Sequence, residues 1–230
     1  MSFYRDLFLR HFRDWTDVAC KTWGYRQPRE EFFQRVLSRL TDPIAEWIGY
    51  GIHYELIVES GVQFNLLENR AGKGPYKWFS KRTGATEPQC NWEYYVQVAQ
   101  FVRLWQPCSI ANWRLTFEDE LMDLTVRRDG ELLWCVEVKE RPNQLERLLA
   151  KLMSHGMEGV DLLSPDRGKD ALRKAKYLVN HQPRFFSAVA ICLTRDFRVA
   201  YPRENVFVLS ESHPPLETLR APPRPPLRSS

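Results

Sequence analysis

The sequence has no apolar run approaching the ~20 residues that span a bilayer, so no membrane helix and no membrane partner are expected. Its first residues, MSFYRDLFLRHFRDW, carry a charge every few positions and lack the apolar core of a signal peptide. Cysteine is sparse: Cys20, Cys90, Cys108, Cys135 and Cys192 are odd in number, widely spaced and free of any CxxC or Cys/His cluster. That excludes a disulfide framework and a structural zinc site, and it fits a reducing, cytoplasmic setting. Charge of one sign is scarce too, with 33 Lys+Arg against 29 Asp+Glu for a net +4. Such a balance permits nucleic-acid binding without demanding it, so local distribution has to decide. No internal repeat is visible. Gly72-Lys73-Gly74 lacks both the spacing and the following Ser or Thr of a phosphate-binding loop.

What is present is core material. An apolar share of 43% and an aromatic share of 13% in 230 residues suffice for one domain with an appendage, or for two small domains. Apolar residues at three- and four-residue steps predict a helix from Phe3 to near residue 25, marked by Phe3, Leu7, Phe8, Phe12, Trp15, Val18, Ala19 and Trp23. A second helix is predicted from Arg29 and a third at Asp42-Pro43. A hairpin is predicted over Glu55 to Leu67 about Ser60-Gly61. The loop from Glu68 to Asn91 is polar and basic, and is read as a surface loop or a nucleic-acid contact. A helix is predicted from Trp92 to Trp105. Strands follow at Ile110 to Phe117, Glu120 to Arg128 and Glu131 to Lys139. A helix opens at Pro142 and runs to about His155, with Gly156 as its stop. Another starts at Ser164-Pro165 and runs to about Asn180. The run FFSAVAICLT, Phe185 to Thr194, suits one buried strand, and short strands follow at Arg198 to Tyr201 and Val206 to Leu209. The Pro-rich basic tail from Ser212 is expected to be extended and poorly ordered.

The stretch with chemistry in it is FEDELMDLTVRRDGELLWCVEVKER, Phe117 to Arg141. Strand side chains alternate faces. Met122, Leu124 and Val126 therefore share one face, and Asp123, Thr125 and Arg127 the other. On the next strand Leu132, Trp134, Val136 and Val138 oppose Leu133, Cys135, Glu137 and Lys139. If the apolar sets share a core, Asp123, Glu137 and Lys139 share the opposite face. That requires paired residue numbers with an even sum. A plain two-residue turn at Asp129-Gly130 gives an odd sum, so a three-residue connection, Arg128-Asp129-Gly130 with Gly130 left-handed, is predicted.

Two adjacent carboxylates repel unless a cation compensates. Mg²⁺ suits this setting, because it prefers hard oxygen ligands and keeps waters. Asp123 and Glu137 can each supply an oxygen and the Val138 carbonyl a third. Lys139 can then hold and help deprotonate an attacking water and stabilise charge on a phosphate. Taken singly, the ordinary readings are a solvated strand acid and a same-face surface ion pair. Taken together with the interior-like run LLWCVEV, the residues point to phosphodiester hydrolysis.

Asp123 followed by Glu137-Val138-Lys139 at the end of a hydrophobic strand resembles the PD-(D/E)xK nuclease superfamily, over about residues 91 to 195. Met122 stands where the motif often has proline. The resemblance implies an α/β fold with a restriction-endonuclease-like core of helix, three-strand meander, helix and strand. It would occupy residues 91–211, behind a mainly helical region 1–90 for substrate or partner recognition and ahead of the tail 212–230. It also implies Mg²⁺, with Mn²⁺ able to substitute, and a further carboxylate from the preceding helix, for which Glu93 is the candidate. The activity implied is that of a metal-dependent nuclease, a DNA endonuclease or the nuclease subunit of a restriction, repair, recombination or phage-defence system. DNA is favoured over RNA as partner, with a homodimer or a partner subunit alongside. The alternative is a catalytically inactive nuclease-fold module that binds nucleic acid or a partner.

Several other residues are weighed against plainer readings. Glu118, Asp119 and Glu120 are read as a turn before they are read as ligands. His53 is read as structural. Lys169, Arg173 and Lys176, at helical spacing, are a candidate nucleic-acid-binding stripe or a solvated basic face. Gln144, one helix turn past the Lys139 strand, is a candidate contact to the site.

Overall fold

The computed structural model describes residues 2–67 and 73–213. Arg70 and Gly72 of the basic loop, and the Pro-rich stretch from 214 onward, lie outside these residues. The chain forms two compact units, one ending at Leu104 and the other starting at Trp105. That boundary falls inside the helix Trp92–Ile110; the 90/91 division implied by the resemblance lies just ahead of that helix. Among the described residues no helix is long and apolar enough to cross a membrane.

The first unit holds α1 (Phe3–Trp23), α2 (Glu30–Leu37), α3 (Asp42–His53) and the hairpin β1 (Ile57–Ser60) and β2 (Gln63–Leu66). β3 (Tyr76–Lys77) pairs with β2, β4 (Phe79–Ser80) pairs with β5 (Gln89–Cys90), and most of α4 (Trp92–Ile110) completes the unit. The predicted α1 stripe is present but rotated. Tyr4, Phe8, Phe12, Trp15 and Ala19 are buried, whereas Phe3 and Val18 are exposed. Trp78 is the centre of an aromatic core, stacked 4.6 Å from Trp15 and 4.1 Å from Phe64. α1 comes so close to α3 that a Cβ on Gly49 would lie 1.9 Å from the Tyr4 carbonyl oxygen.

The second unit is a mixed α/β layer. Its elements are β6 (Arg114–Asp119), β7 (Met122–Arg128), β8 (Glu131–Val138), α5 (Pro142–Glu158), α6 (Asp170–His181), β9 (Phe185–Ala190), β10 (Leu193–Arg203) and β11 (Val206–Glu211). The sheet order is β11-β10-β9-β8-β7-β6. Only β8 and β9 run parallel, because α5 and α6 form the crossover between them. Both faces of β8 are covered. Leu124, Val126, Trp134, Val136 and Val138 are fully buried. Cys135, Phe186 and Ala188 pack with Leu145, Leu149 and Leu152 of α5 and Leu172, Ala175 and Leu178 of α6.

Four predicted boundaries move, each for a local reason. The first strand of the meander starts at Arg114 because α4 continues through Pro107 to Ile110. The run Phe185 to Thr194 is a hairpin rather than one strand. Ala190 pairs with Leu193 across an Ile191-Cys192 turn, and Cys192 takes φ 63°. The helix expected at Ser164 begins at Asp170. Gly156 is not a stop. It lies buried inside α5, where a Cβ would come 2.6 Å from the Phe207 carbonyl oxygen, and the helix ends at Gly159 instead.

Candidate functional site

The connection between β7 and β8 corrects the predicted turn. It has two residues, Asp129 and Gly130, at φ 51° and 86°, with Arg128 paired to Glu131. The even register is restored further along, by a bulge. Arg127 pairs with Leu132 but Val126 pairs with Trp134, leaving Leu133 as the extra residue. The displaced Leu133 carbonyl accepts a hydrogen bond from the Arg184 N–H at 2.9 Å, so the bulge does not orphan that acceptor. Beyond it Thr125 faces Cys135 and Leu124 faces Val136. One further step in that register brings Asp123 level with Glu137.

The carboxylates meet on the face covered by α5 and α6. Asp123 is half-buried, and its Oδ2 accepts the Val138 N–H at 2.5 Å. In an extended strand a residue's N–H and C=O face the same neighbour, so the Val138 carbonyl is also directed toward β7. The Glu137 side chain is 0% exposed, with Oε1 2.7 Å from the Lys139 ammonium and Oε2 2.8 Å from that of Lys174. The Lys139 N–H donates to the Val189 carbonyl at 2.9 Å, fixing the end of β8 against β9.

Lys174 is the residue that sequence reasoning missed. Its side chain is 6% exposed on α6; it donates to the Leu121 carbonyl at 2.9 Å and lies 3.4 Å from Asp170. The signal was available: Lys174 shares the buried face of α6 with Ala171, Leu172, Ala175 and Leu178, where a lysine needs a partner. Burial pulls its pKa down, but the Glu137 carboxylate, by charge and hydrogen bond, and then Asp123 and Asp170 leave it above the ordinary lysine value. Asp123 moves the other way for a carboxylate. Burial and then the like charge of Glu137 push its pKa well above the usual range, against the pull of Lys139, Lys174 and the Val138 N–H.

The remaining candidates separate. Asp119 accepts from Thr125 Oγ1 at 2.8 Å and from Arg127 at 3.3 Å. It pairs with Met122 across the Glu120-Leu121 turn, and Glu118 and Glu120 both take φ 54°. The three acids therefore build the turn between β6 and β7. Glu93 stands in the first turn of α4, in the first unit. His53 packs edge-on against Phe3 at 5.4 Å, in that same unit. Lys169, Arg173 and Lys176 do not form one uncommitted stripe. Arg173 lies 3.8 Å from Asp170, while Lys176, only 14% exposed, lies 3.5 Å from Asp166 and donates to the Ser164 carbonyl. Gln144 accepts the Arg141 N–H through Oε1 at 3.3 Å and lines a cleft with Lys139.

The donor set suits a hard divalent cation in part. Among the described residues no group of three or more His, Cys, Asp and Glu is placed to hold a metal. Two carboxylates and a carbonyl are enough for Mg²⁺, which keeps several waters. The Asp123 pKa is raised first by burial and then by the charge of Glu137, and a bound cation would offset both. Each Glu137 oxygen faces one ammonium and keeps a second lone pair with which it could reach that cation. Set against known proteins, the chain matches no family model, no curated protein and no solved structure.

Proposed function

We propose that the chain is a metal-dependent nuclease of the PD-(D/E)xK type that hydrolyses phosphodiester bonds in DNA. The observation that carries this reading is Glu137, a fully buried carboxylate on a central strand, level with Asp123 and held by two lysines. Buried ionic clusters are expensive relative to apolar packing, and perturbed carboxylates concentrate where chemistry is done. The element order β6-β7-β8, α5, α6 and β9 of the second unit is the support that the fold lends to this reading. In this reading Asp123, Glu137 and the Val138 carbonyl hold the cation. When bound, the cation supplies Lewis acidity toward the phosphate and a more acidic water. Lys139 would position the attacking water and, as an ammonium, stabilise charge on the phosphate, while the water's proton leaves to solvent. Lys174 holds Glu137 in place from below and offsets its charge.

A second reading has one observation in its favour. Two carboxylates and two ammonium groups balance, and both Glu137 oxygens are occupied by lysines. The cluster therefore closes without a cation, as a non-cleaving nucleic-acid-binding module would require.

Incubating plasmid, single-stranded circular DNA and RNA with Mg²⁺ separates the two. The nuclease reading expects cleavage by wild type and losses of at least ~10²-fold in Lys139→Ala and Asp123→Ala, the scale of removing a group that stabilises transition-state charge. Cleavage that persists in both variants removes the site assignment. No cleavage of any substrate, together with no Mg²⁺ binding by calorimetry, selects the binding module.

A further inference from the structure

Lys139 belongs to two places at once. Its ammonium pairs with Glu137, and it also lines an open cleft of about 710 Å³ bordered by α5 and the start of α6. Arg147, Lys151 and His155 line one wall of this cleft. They follow one another at four-residue steps down a single face of α5, about 6 Å apart along the axis. Lys169, the N-cap of α6, stands on the other wall. Arg147, Lys151 and Lys169 are exposed, and among the described residues no carboxylate pairs with any of them. Asp170 is the only acid in the lining, against four Lys and Arg, and its carboxylate is within reach of both Lys174 and Arg173. Apolar side chains from both helices, Leu148 and Leu172 among them, lie between the cations.

We propose that this cleft is the substrate track, and that it takes a single strand of nucleic acid rather than a duplex. The proposal rests on the nuclease reading only for what happens at the Lys139 end. The backbone phosphates lie along Arg147 and Lys151 with Lys169 opposite, and the sugars and base edges lie on Leu148 and Leu172. The size decides between strand and duplex. A cavity of this volume is on the scale of small-ligand pockets, ~300–1,000 Å³, and admits a few nucleotides of one strand, whereas the two strands of a helix do not enter together. The lining contains no Phe, Tyr or Trp to stack on a base, His155 being its one ring, so the grip is chiefly through phosphates. It is therefore indifferent to sequence and weakened by salt. The α6 cations singled out by helical spacing contribute only Lys169 to this track.

The test is fluorescence anisotropy of the full chain with a labelled twelve-nucleotide single strand and the matching duplex, in EDTA, so that cleavage plays no part. The single strand is expected to bind at least tenfold tighter. The slope of log K against log salt is expected near −2, from three phosphates at about 0.7 each. Arg147→Ala with Lys151→Ala should weaken binding at least tenfold and reduce the slope by about 1.4. Arg198→Ala, which removes an exposed arginine on β10, should leave both unchanged. Equal or tighter duplex binding, an unchanged affinity in the double variant, or no binding of the single strand overturns the proposal. Tight single-strand binding by a protein that cleaves nothing in Mg²⁺ leaves the track standing and removes the nuclease reading. Cleavage that is unaffected by the double variant does the reverse.

Discussion

In the first unit the interior is aromatic and the ion pairs stay at least partly in water, the most enclosed of those described being His11–Glu59, with side chains 31% and 21% exposed. Trp15, Trp78, Phe64 and Tyr95 stack or pack on one another at ring separations of 4.1–4.9 Å, while the pairs Arg13–Glu30 and Arg35–Glu87 lie at the surface. In the second unit a carboxylate and an ammonium are buried in the layer between β8 and α6, next to Cys135, Ala188 and Leu172. An apolar pair of similar volume at Glu137 and Lys174 would be as stable or more so. The first unit has no ion pair among those described that is closed off from water on both sides. The second departs from that rule most strongly at Glu137 and Lys174, and a local departure of this kind marks a site kept for what it does.

The largest expected effect lies in the aromatic core. Trp78→Ala removes a fully buried ring at the centre of its stack and should cost about 3–5 kcal/mol in denaturant unfolding. Hydrogen exchange should lose protection first in α1 and β2, with β7 and β8 less affected. Equal loss in β7 and β8 would mean that the two interiors do not respond separately.

Lys174→Met comes next. It leaves Glu137 buried with Lys139 alone and should destabilise by about 3 kcal/mol, toward the lower end for a broken buried pair because one partner remains. Adding Glu137→Leu should restore stability to within about 1 kcal/mol of wild type while abolishing activity. A double variant as unstable as Lys174→Met would show that the charges support the fold, and the contrast between the units would fail.

A smaller effect is expected where α5 meets β11. Gly156→Ala places a methyl group against the Phe207 carbonyl and ring. It should lower stability by about 1–3 kcal/mol, the range for overpacking, read as a lower unfolding midpoint. An unchanged midpoint would show that α5 can shift away from β11 without penalty.

Alternation together with a shared core put Asp123, Glu137 and Lys139 on one face, although Met122 and Leu132, assigned to the other face, pack in the cluster under α5 and α6. The means of achieving that match was not readable. An extra residue restores an even register equally well in the turn or within a strand, and nothing in LLWCV distinguishes Leu133 as the bulge. Lys174 was hidden for a different reason. Helical spacing groups Lys169, Arg173 and Lys176 by position; the apolar stripe of α6 marks the face of Lys174 as buried, but that its partner there is Glu137 is a tertiary fact. The same holds for Gly156, a good helix stop by local chemistry, which is needed inside α5 because β11 approaches there. Cys192 adopts a left-handed turn that its residue type does not advertise, so a hairpin read as a single strand.

The smallest effect serves as the control for the contrast. Arg35 and Glu87 are joined at 2.5 Å, closer than Lys174 and Glu137, yet their side chains are 62% and 39% exposed. Distance alone would rank this pair first. Water and salt screen it, so a double-mutant cycle over Arg35→Ala and Glu87→Ala should give a coupling below about 1 kcal/mol that shrinks further in 1 M NaCl. The cycle is needed because Arg35 also lies 5.6 Å over the Phe32 ring, and the single substitution removes that contact as well. The corresponding cycle at Glu137 and Lys174 should give a larger coupling that salt barely alters, since no solvent separates those groups. Couplings of equal size and equal salt sensitivity would mean that burial does not distinguish the two pairs. Glu137 would then be one more ion pair, and the main reason for placing chemistry there would be gone.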